Sequence, residues 1–167
     1  MRLAACGATV TGPRHLSRGE DNQDSCVLRG CRGGWIAAVA DGLGSRPLSG
    51  VGSRAACRAA CDRLKRAGAT DTQEMLAEVH RDWVAGIASL TADEAATTLI
   101  MAMVDAKGNG IAAQIGDGLA LIREGGRFRR LTPARMGFGN MTDALTAVHR
   151  PELWVWADFS LAEPGDG

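Results

Sequence analysis

Three aspartates, Asp24, Asp41 and Asp117, stand where apolar runs of β type give way to turns. Asp24 precedes the run 25–29, Asp41 closes the run 35–40, and Asp117 sits between two glycines after the run 111–115. Carboxylates at strand ends project into loop-built clefts, and several converging there repel one another unless a divalent cation neutralises them. An oxygen-only donor set suits a hard cation such as Mg²⁺ or Mn²⁺. Gly42, directly after Asp41, would let its carbonyl approach such an ion without side-chain obstruction. The competing reading is that each aspartate is a turn residue bonding its own backbone, a frequent habit beside glycine, as in Asp41-Gly42 and Asp117-Gly118. Sequence position leaves both readings open.

These residues need a scaffold, and the composition indicates its kind. With 167 residues, 46% hydrophobic and 23% charged, the chain reads as one globular domain with one core. Nineteen basic residues balance nineteen acidic ones for a formal net charge of zero, which removes the long-range positive field of a nucleic-acid or anionic-membrane binder. Neither partner is expected. The apolar runs 35–40 and 99–104 fall far short of the roughly 20 residues that span a bilayer. Five cysteines, an odd number with no CxxC pair, point to buried thiols in a reducing compartment, so a cytoplasmic location is expected. Leu3-Ala4-Ala5-Cys6 imitates a lipoprotein cleavage box but lacks the apolar region of roughly 7 to 15 residues before it.

Along the chain, residues 3–11 read as a strand ending at Gly12-Pro13, followed by a polar loop over 14–24. The runs 25–29 and 35–40 form a hairpin across a Gly-rich connection. Val51, Ala55, Ala59 and Leu64 recur at helical spacing in a first helix over 48–67, stopped at Gly68. Asp71 with Glu74 three residues on has the form of an N-terminal capping box, and Leu76, Val79, Trp83, Ile87 and Leu90 continue a second helix. The period then changes to two: residues 96–104, 111–115, 119–123 and 128–131 read as an antiparallel meander, and 153–161 as a last strand. Trp154 and Trp156 share one face of it. Strands, two helices and strands again predict an α+β fold of antiparallel sheets with helices on an outer face. That order, with the full GxGxxG and P-loop patterns absent, argues against a nucleotide cradle at Gly42 to Ser45.

Cys57 and Cys61, four apart on the first helix, read as core thiols. Asp105 to Gly110 reads as a hairpin turn, since the ligand count of a calcium loop fails there. His80 and His149 have no partners that indicate catalysis, and Arg127, Arg129 and Arg130 read as a solvated basic edge.

The strings carry a family resemblance. Gly12-x-x-His15-x-x-x-Gly19-x-x-Asn22-Gln23-Asp24, then Val39-Ala40-Asp41-Gly42-Leu43-Gly44-Ser45, then Ser49-x-x-Gly52-x-x-x-Ala56 resemble the opening of the metal-dependent protein phosphatases of type 2C, in their bacterial branch. Ala96-Thr97-Thr98-Leu99, Ile115-Gly116-Asp117-Gly118 and Asn140-x-Thr142-x-x-Leu145-Thr146 are similar to later motifs of that family, in the same order. The resemblance implies a sandwich of two antiparallel sheets flanked by helices, with two Mn²⁺ or Mg²⁺ ions in a cleft at one end. It implies that Asp41 bridges both metals, that the Gly42 carbonyl completes one sphere, that Asp24 holds metal-bound waters and that Asp117 serves a looser third ion. The implied reaction is hydrolysis of phosphoserine or phosphothreonine on protein partners by a metal-activated water, without a covalent intermediate. A protein kinase acting on the same targets is the implied counterpart.

Two departures from the family pattern bear on these expectations. Gly19 stands where many members carry the phosphate-gripping arginine, which hands that role to His15, with Arg18 as the alternative. Beyond Pro164-Gly165-Asp166 the family continues into strands bearing two more metal-binding aspartates, which this chain does not contain. Residues 1–167 therefore read as a single domain lacking its C-terminal metal-binding strands, and a phosphatase-like module that binds or regulates without turnover is the second reading.

Overall fold

The computed structural model describes residues 3–66, 71–132 and 142–167. Helix α1 (Pro13–Arg18) starts with proline in its first turn, where a missing N–H costs nothing, and ends at Gly19. Strands β1 (Ser25–Cys31) and β2 (Gly34–Ala40) follow, joined by Arg32 and Gly33 at φ 48° and 83°, a turn whose twist matches that of a hairpin. Two helices come next, α2 (Ser49–Arg66) and α3 (Thr72–Gly86). The Asp71 side chain caps α3 by accepting from the Gln73 and Glu74 amides, as the capping pattern predicts. The chain continues through β3 (Leu99–Val104), β4 (Asn109–Ile115), β5 (Leu121–Glu124), β6 (Arg127–Arg130), a short 3-10 turn at Pro151–Leu153 and β7 (Val155–Ser160).

The fold is α+β, with two antiparallel sheets. One has five strands in the order β1-β2-β3-β4-β7, and the other is the β5-β6 hairpin. Period-two alternation divides the large sheet into two apolar faces. Ile36, Ala38, Ala40, Leu99, Met101, Ala113 and Ile115 point to the helices, where they meet Ala56, Cys57, Ala60 and Leu64 of α2 and Leu76, Val79 and Trp83 of α3. Small residues along α2 let it lie close to the sheet, and Trp83 of α3, fully buried, donates its indole N–H to the Gly52 carbonyl at 3.1 Å. Ion pairs reinforce this layer: Arg29 of β1 with Asp62 of α2, and Arg63 of α2 with Glu78 and Asp82 of α3 at 2.8 and 2.6 Å. The opposite face carries a smaller cluster in which Ala112 meets Ile122 of β5, Leu131 and Leu161. No helix among the described residues is long and apolar enough to cross a membrane.

Several expectations change. Residues 3–11 form no strand; they run irregularly beside the second face, where Leu3 accepts a hydrogen bond from the Trp35 indole and Gly7 lies against Cys26 and Leu28. The segment's backbone meets side chains of the sheet there and makes no sheet ladder. The polar loop over 14–24 contains α1, which the helix-starting proline and the left-handed glycine after it delimit. The second helix stops at Gly86, and Leu90 lies in the turns beyond. The meander is split: β3 and β4 stay in the large sheet, β5 and β6 leave it, and β7 returns to pair with β4. Trp154 is buried under the helices, but Trp156, on the same face opposite Ala113, is 40% exposed. Gly68 as a helix stop and Asn140 of the late motif lie outside the described residues.

The Trp83 contacts make a graded prediction for urea unfolding. Trp83→Ala should cost about 3–5 kcal/mol for the cavity it leaves. Trp83→Phe should cost about 1 kcal/mol for the lost hydrogen bond, plus a smaller packing loss. Equal costs for both would show that the indole N–H is not used.

Candidate active site

The β1-β2 register decides the central feature. Ser25 pairs with Ala40 at the open end of the hairpin, so the residue before β1 and the residue after β2 are brought side by side. Those residues are Asp24 and Asp41, and their carboxyl groups lie within hydrogen-bonding reach of each other. Asp41 keeps contact with solvent, yet its pKa is raised from 3.8 to about 6. Partial burial is the largest cause, followed by the hydrogen bond with Asp24 and by the charges of Asp24 and Asp117, while His15 opposes the shift.

The strands beside the hairpin finish at the same end of the sheet. Leu99 of β3 pairs with Ile115 of β4, which brings Thr97, Thr98 and the Gly116-Asp117 turn next to Asp41. The Asp41 backbone is held on both sides: its N–H donates to Thr98 Oγ1 at 3.0 Å, and its carbonyl accepts from the Thr98 amide and the Thr97 hydroxyl, each at 2.9 Å. This frees the Asp41 carboxyl from any structural duty to its own backbone. The turn-residue reading fails there.

Gly42 bridges Thr97 through bonds made by its neighbours, Asp41 and Leu43, not by its own carbonyl. A Cβ at Gly42 would stand 2.7 Å from the Gln23 carbonyl and 2.9 Å from Ser49, so only glycine lets the start of α2 and the loop before β1 close on this point. Gly116 adopts φ 108°, and a side chain there would strike Thr98 at 2.6 Å. That backbone turn places Asp117 at the cleft, where it accepts a 3.0 Å hydrogen bond from Thr142.

Asp41, Gly42, Leu43, Gly44, Ser45, Thr98, Asp117 and Thr142 line a cleft of about 230 Å³. Along the Gly44-Ser45 wall it adjoins a groove of about 600 Å³ lined by Arg14, His15, Arg18, Glu20, Gln23, Arg46 and Pro47. His15 and Arg18 thus stand beside the cleft, each near Glu20 at 3.9 and 3.8 Å. The donor chemistry at Asp41 fits a hard divalent cation: two carboxyl groups within hydrogen-bonding reach that resist joint ionisation, with Gly42 and the Asp117 carboxylate on the same cleft wall. Among the described residues no group of three acidic, histidine or cysteine side chains converges as a ready cage, so Asp24 and Asp41 form a pair with Asp117 across from it.

Other candidates fall away. Asp166 spends its carboxylate on the Gly125, Ala162 and Glu163 amides, a turn role. Asp105 likewise accepts from the Lys107 and Asn109 amides of its hairpin. His80 bonds the Thr146 carbonyl and lies beside His149, the rings tilted by 49° with centres 5.1 Å apart. The five cysteines are free, with Cys57 and Cys61 buried in the core. Arg14 and Arg46, which no sequence pattern marks, also line the groove. The positioning role of Thr97 and Thr98 was missed from sequence, since the bonds that express it span more than fifty residues.

The comparisons agree with the α+β fold of antiparallel sheets described above. The family model for protein phosphatase 2C matches residues 11–163, and the chain belongs to that family. No curated protein sequence matches it. Among solved structures, the photosystem II phosphatase PBCP is similar with 21% identity and TM-score 0.70, over 94% of this chain and 60% of that one. A chain from work on the bacterial stressosome is similar with 20% identity and TM-score 0.63, over 87% of this chain and 66% of that one. A stage II sporulation E family protein from Thermanaerovibrio acidaminovorans gives 17% identity and TM-score 0.65, over 86% of this chain and 75% of that one. At these identities the likeness concerns the fold, and the chain spans less than two thirds of the first two structures.

The raised Asp41 pKa predicts a pH dependence. Without divalent metal, the folded protein binds a proton at Asp41 between pH about 4 and about 6 that the unfolded chain has released, so stability falls as pH rises through that window. Melting temperatures across it should decline, and Asp41→Asn should flatten the decline. An unchanged slope in that variant would remove the like-charge strain from Asp41.

Proposed function

We propose that this chain carries the catalytic cleft of a metal-dependent protein phosphatase acting on phosphoserine or phosphothreonine of protein partners. The observation that carries the reading is the Asp24-Asp41 carboxylate pair, forced together by strand register beside the groove that holds His15 and Arg18. Family membership supports phosphatase chemistry in general.

Asp41 and Asp24 would hold Mn²⁺ or Mg²⁺, with the Gly42 carbonyl beside them and Asp117, steadied by Thr142, serving a looser site. Bound there, a divalent cation supplies acidity to water and offsets charge on phosphoryl oxygens. The side chains do the rest of the positioning. Asp24 accepts hydrogen bonds from water at the cleft, and Thr97 with Thr98 keeps Asp41 from drifting. His15, with Arg18 beside it, draws the substrate phosphate to the cleft mouth. In-line attack by water then needs no nucleophilic side chain. The substrates would be cytoplasmic phosphoproteins opposed by a kinase with the same targets.

Asp41→Asn should cut Mn²⁺-dependent phosphate release from a phosphopeptide by more than the 10–100-fold typical of a residue that only supports a ligand, with circular dichroism unchanged. Retained release would sink the role given to Asp41. His15→Ala should raise KM with kcat little altered, the pattern of lost substrate binding, and an unaltered KM would pass the contact to Arg18. Phosphopeptide binding without phosphate release by the parent chain would instead make it a non-catalytic binding module.

A further inference from the structure

The cleft and the groove beside it carry opposite charge. Asp41 and Asp117 line the cleft, with Asp24 against Asp41, whereas Arg14, His15, Arg18 and Arg46 line the groove with Glu20 as its one acid. Glu20 is shared between His15 and Arg18, at 3.9 and 3.8 Å. Among the described residues neither Arg14 nor Arg46 has an ion pair, and both are exposed. Phosphate at the cleft mouth engages His15 and Arg18, which leaves these two guanidinium groups without an anion.

Their placement is fixed by the fold. Arg14 sits one residue before His15 on α1. Arg46 follows the shared Gly44-Ser45 wall directly, its amide bonded to the Leu43 carbonyl at 2.7 Å. A peptide with its phosphorylated residue in the cleft has to cross that wall to leave along the groove, and its next side chains then pass Arg46 and Arg14. Arginine's planar fork suits carboxylates, and the groove is open enough, at about 600 Å³, to admit an extended segment.

We propose that Arg14 and Arg46 form a specificity shoulder that selects phosphoprotein segments carrying Asp or Glu beside the phosphorylated residue. This rests on the reading of the cleft as a phosphoresidue site, and the experiment separates the two. Four fluorescein-labelled peptides are titrated with the chain in Mn²⁺ buffer and followed by anisotropy. They have acidic or neutral flanks, each with serine or with a non-hydrolysable phosphonate in its place. Acidic flanks should tighten binding about tenfold, the order expected when two exposed arginine-carboxylate pairs form together. The gain should shrink as salt screens it. An Arg14→Ala, Arg46→Ala double variant should lose the gain while binding the neutral-flank phosphonate peptide as before. Equal affinity for both flanks, absence of measurable binding by the acidic peptides, or a gain that survives in the double variant overturns the shoulder. If the phosphonate adds no affinity on either flank, the cleft reading fails instead, and the flank comparison on the serine peptides still decides the role of Arg14 and Arg46.

Discussion

The pairing of Ser25 with Ala40 is the constraint on which the site depends. An antiparallel hairpin returns the chain to its starting end, so whatever flanks the two strands must become neighbours. Here the flanking residues are both aspartates. Two carboxylates in contact oppose joint ionisation, and the fold tolerates the conflict because hydrogen bonds from Thr97 and Thr98 anchor the Asp41 backbone independently of its side chain. A proton relieves the repulsion in part, and a divalent cation would relieve it further. Such a site is held open by backbone bonds on one side and by like charge on the other.

The layers behind the cleft serve that arrangement. The helix-facing half of the large sheet is built from small and medium side chains, which lets α2 settle close enough for its first residues to abut Gly42. Ser53 ties the same helix to the Gln23 carbonyl at 2.6 Å, one residue before Asp24. One element thus restrains both sides of the carboxylate pair. On the far face, the β5-β6 hairpin packs through Ile122, and Gly167 exchanges two backbone hydrogen bonds with Arg123 beside it.

The electrostatic pattern is local, since the chain as a whole has no net charge. Acidic groups gather at the sheet end and arginines along α1 and the loop after β2, so a neutral protein carries a polarised site. A negative cleft suits a cation, and a positive rim suits the anion that such a cation would help to bind. Neutrality excludes a broad field but says nothing about such a small dipolar arrangement.

Much of the scaffold was legible in the chain because it is written in local periodicity. The Asp71 cap, the apolar stripe ending near Trp83 and the alternation of residues 25–40 each use only near neighbours in sequence. Asp24, Asp41 and Asp117 could likewise be located at element ends, and the spacing of glycines around them carried the family resemblance. Tertiary structure decided the rest. Residues 3–11 have β-like composition but pack against side chains of Trp35, Cys26 and Leu28 and add no strand beside β1, and β5-β6 leaves the meander as its Ile122 packs with Ala112 on the other face of the sheet. The contact of Asp24 with Asp41, the grip of Thr97 and Thr98, and the placement of Arg14 and Arg46 along one groove join residues far apart in sequence. Local propensity carries no information about such pairs, because only strand register and helix packing set the distances between them.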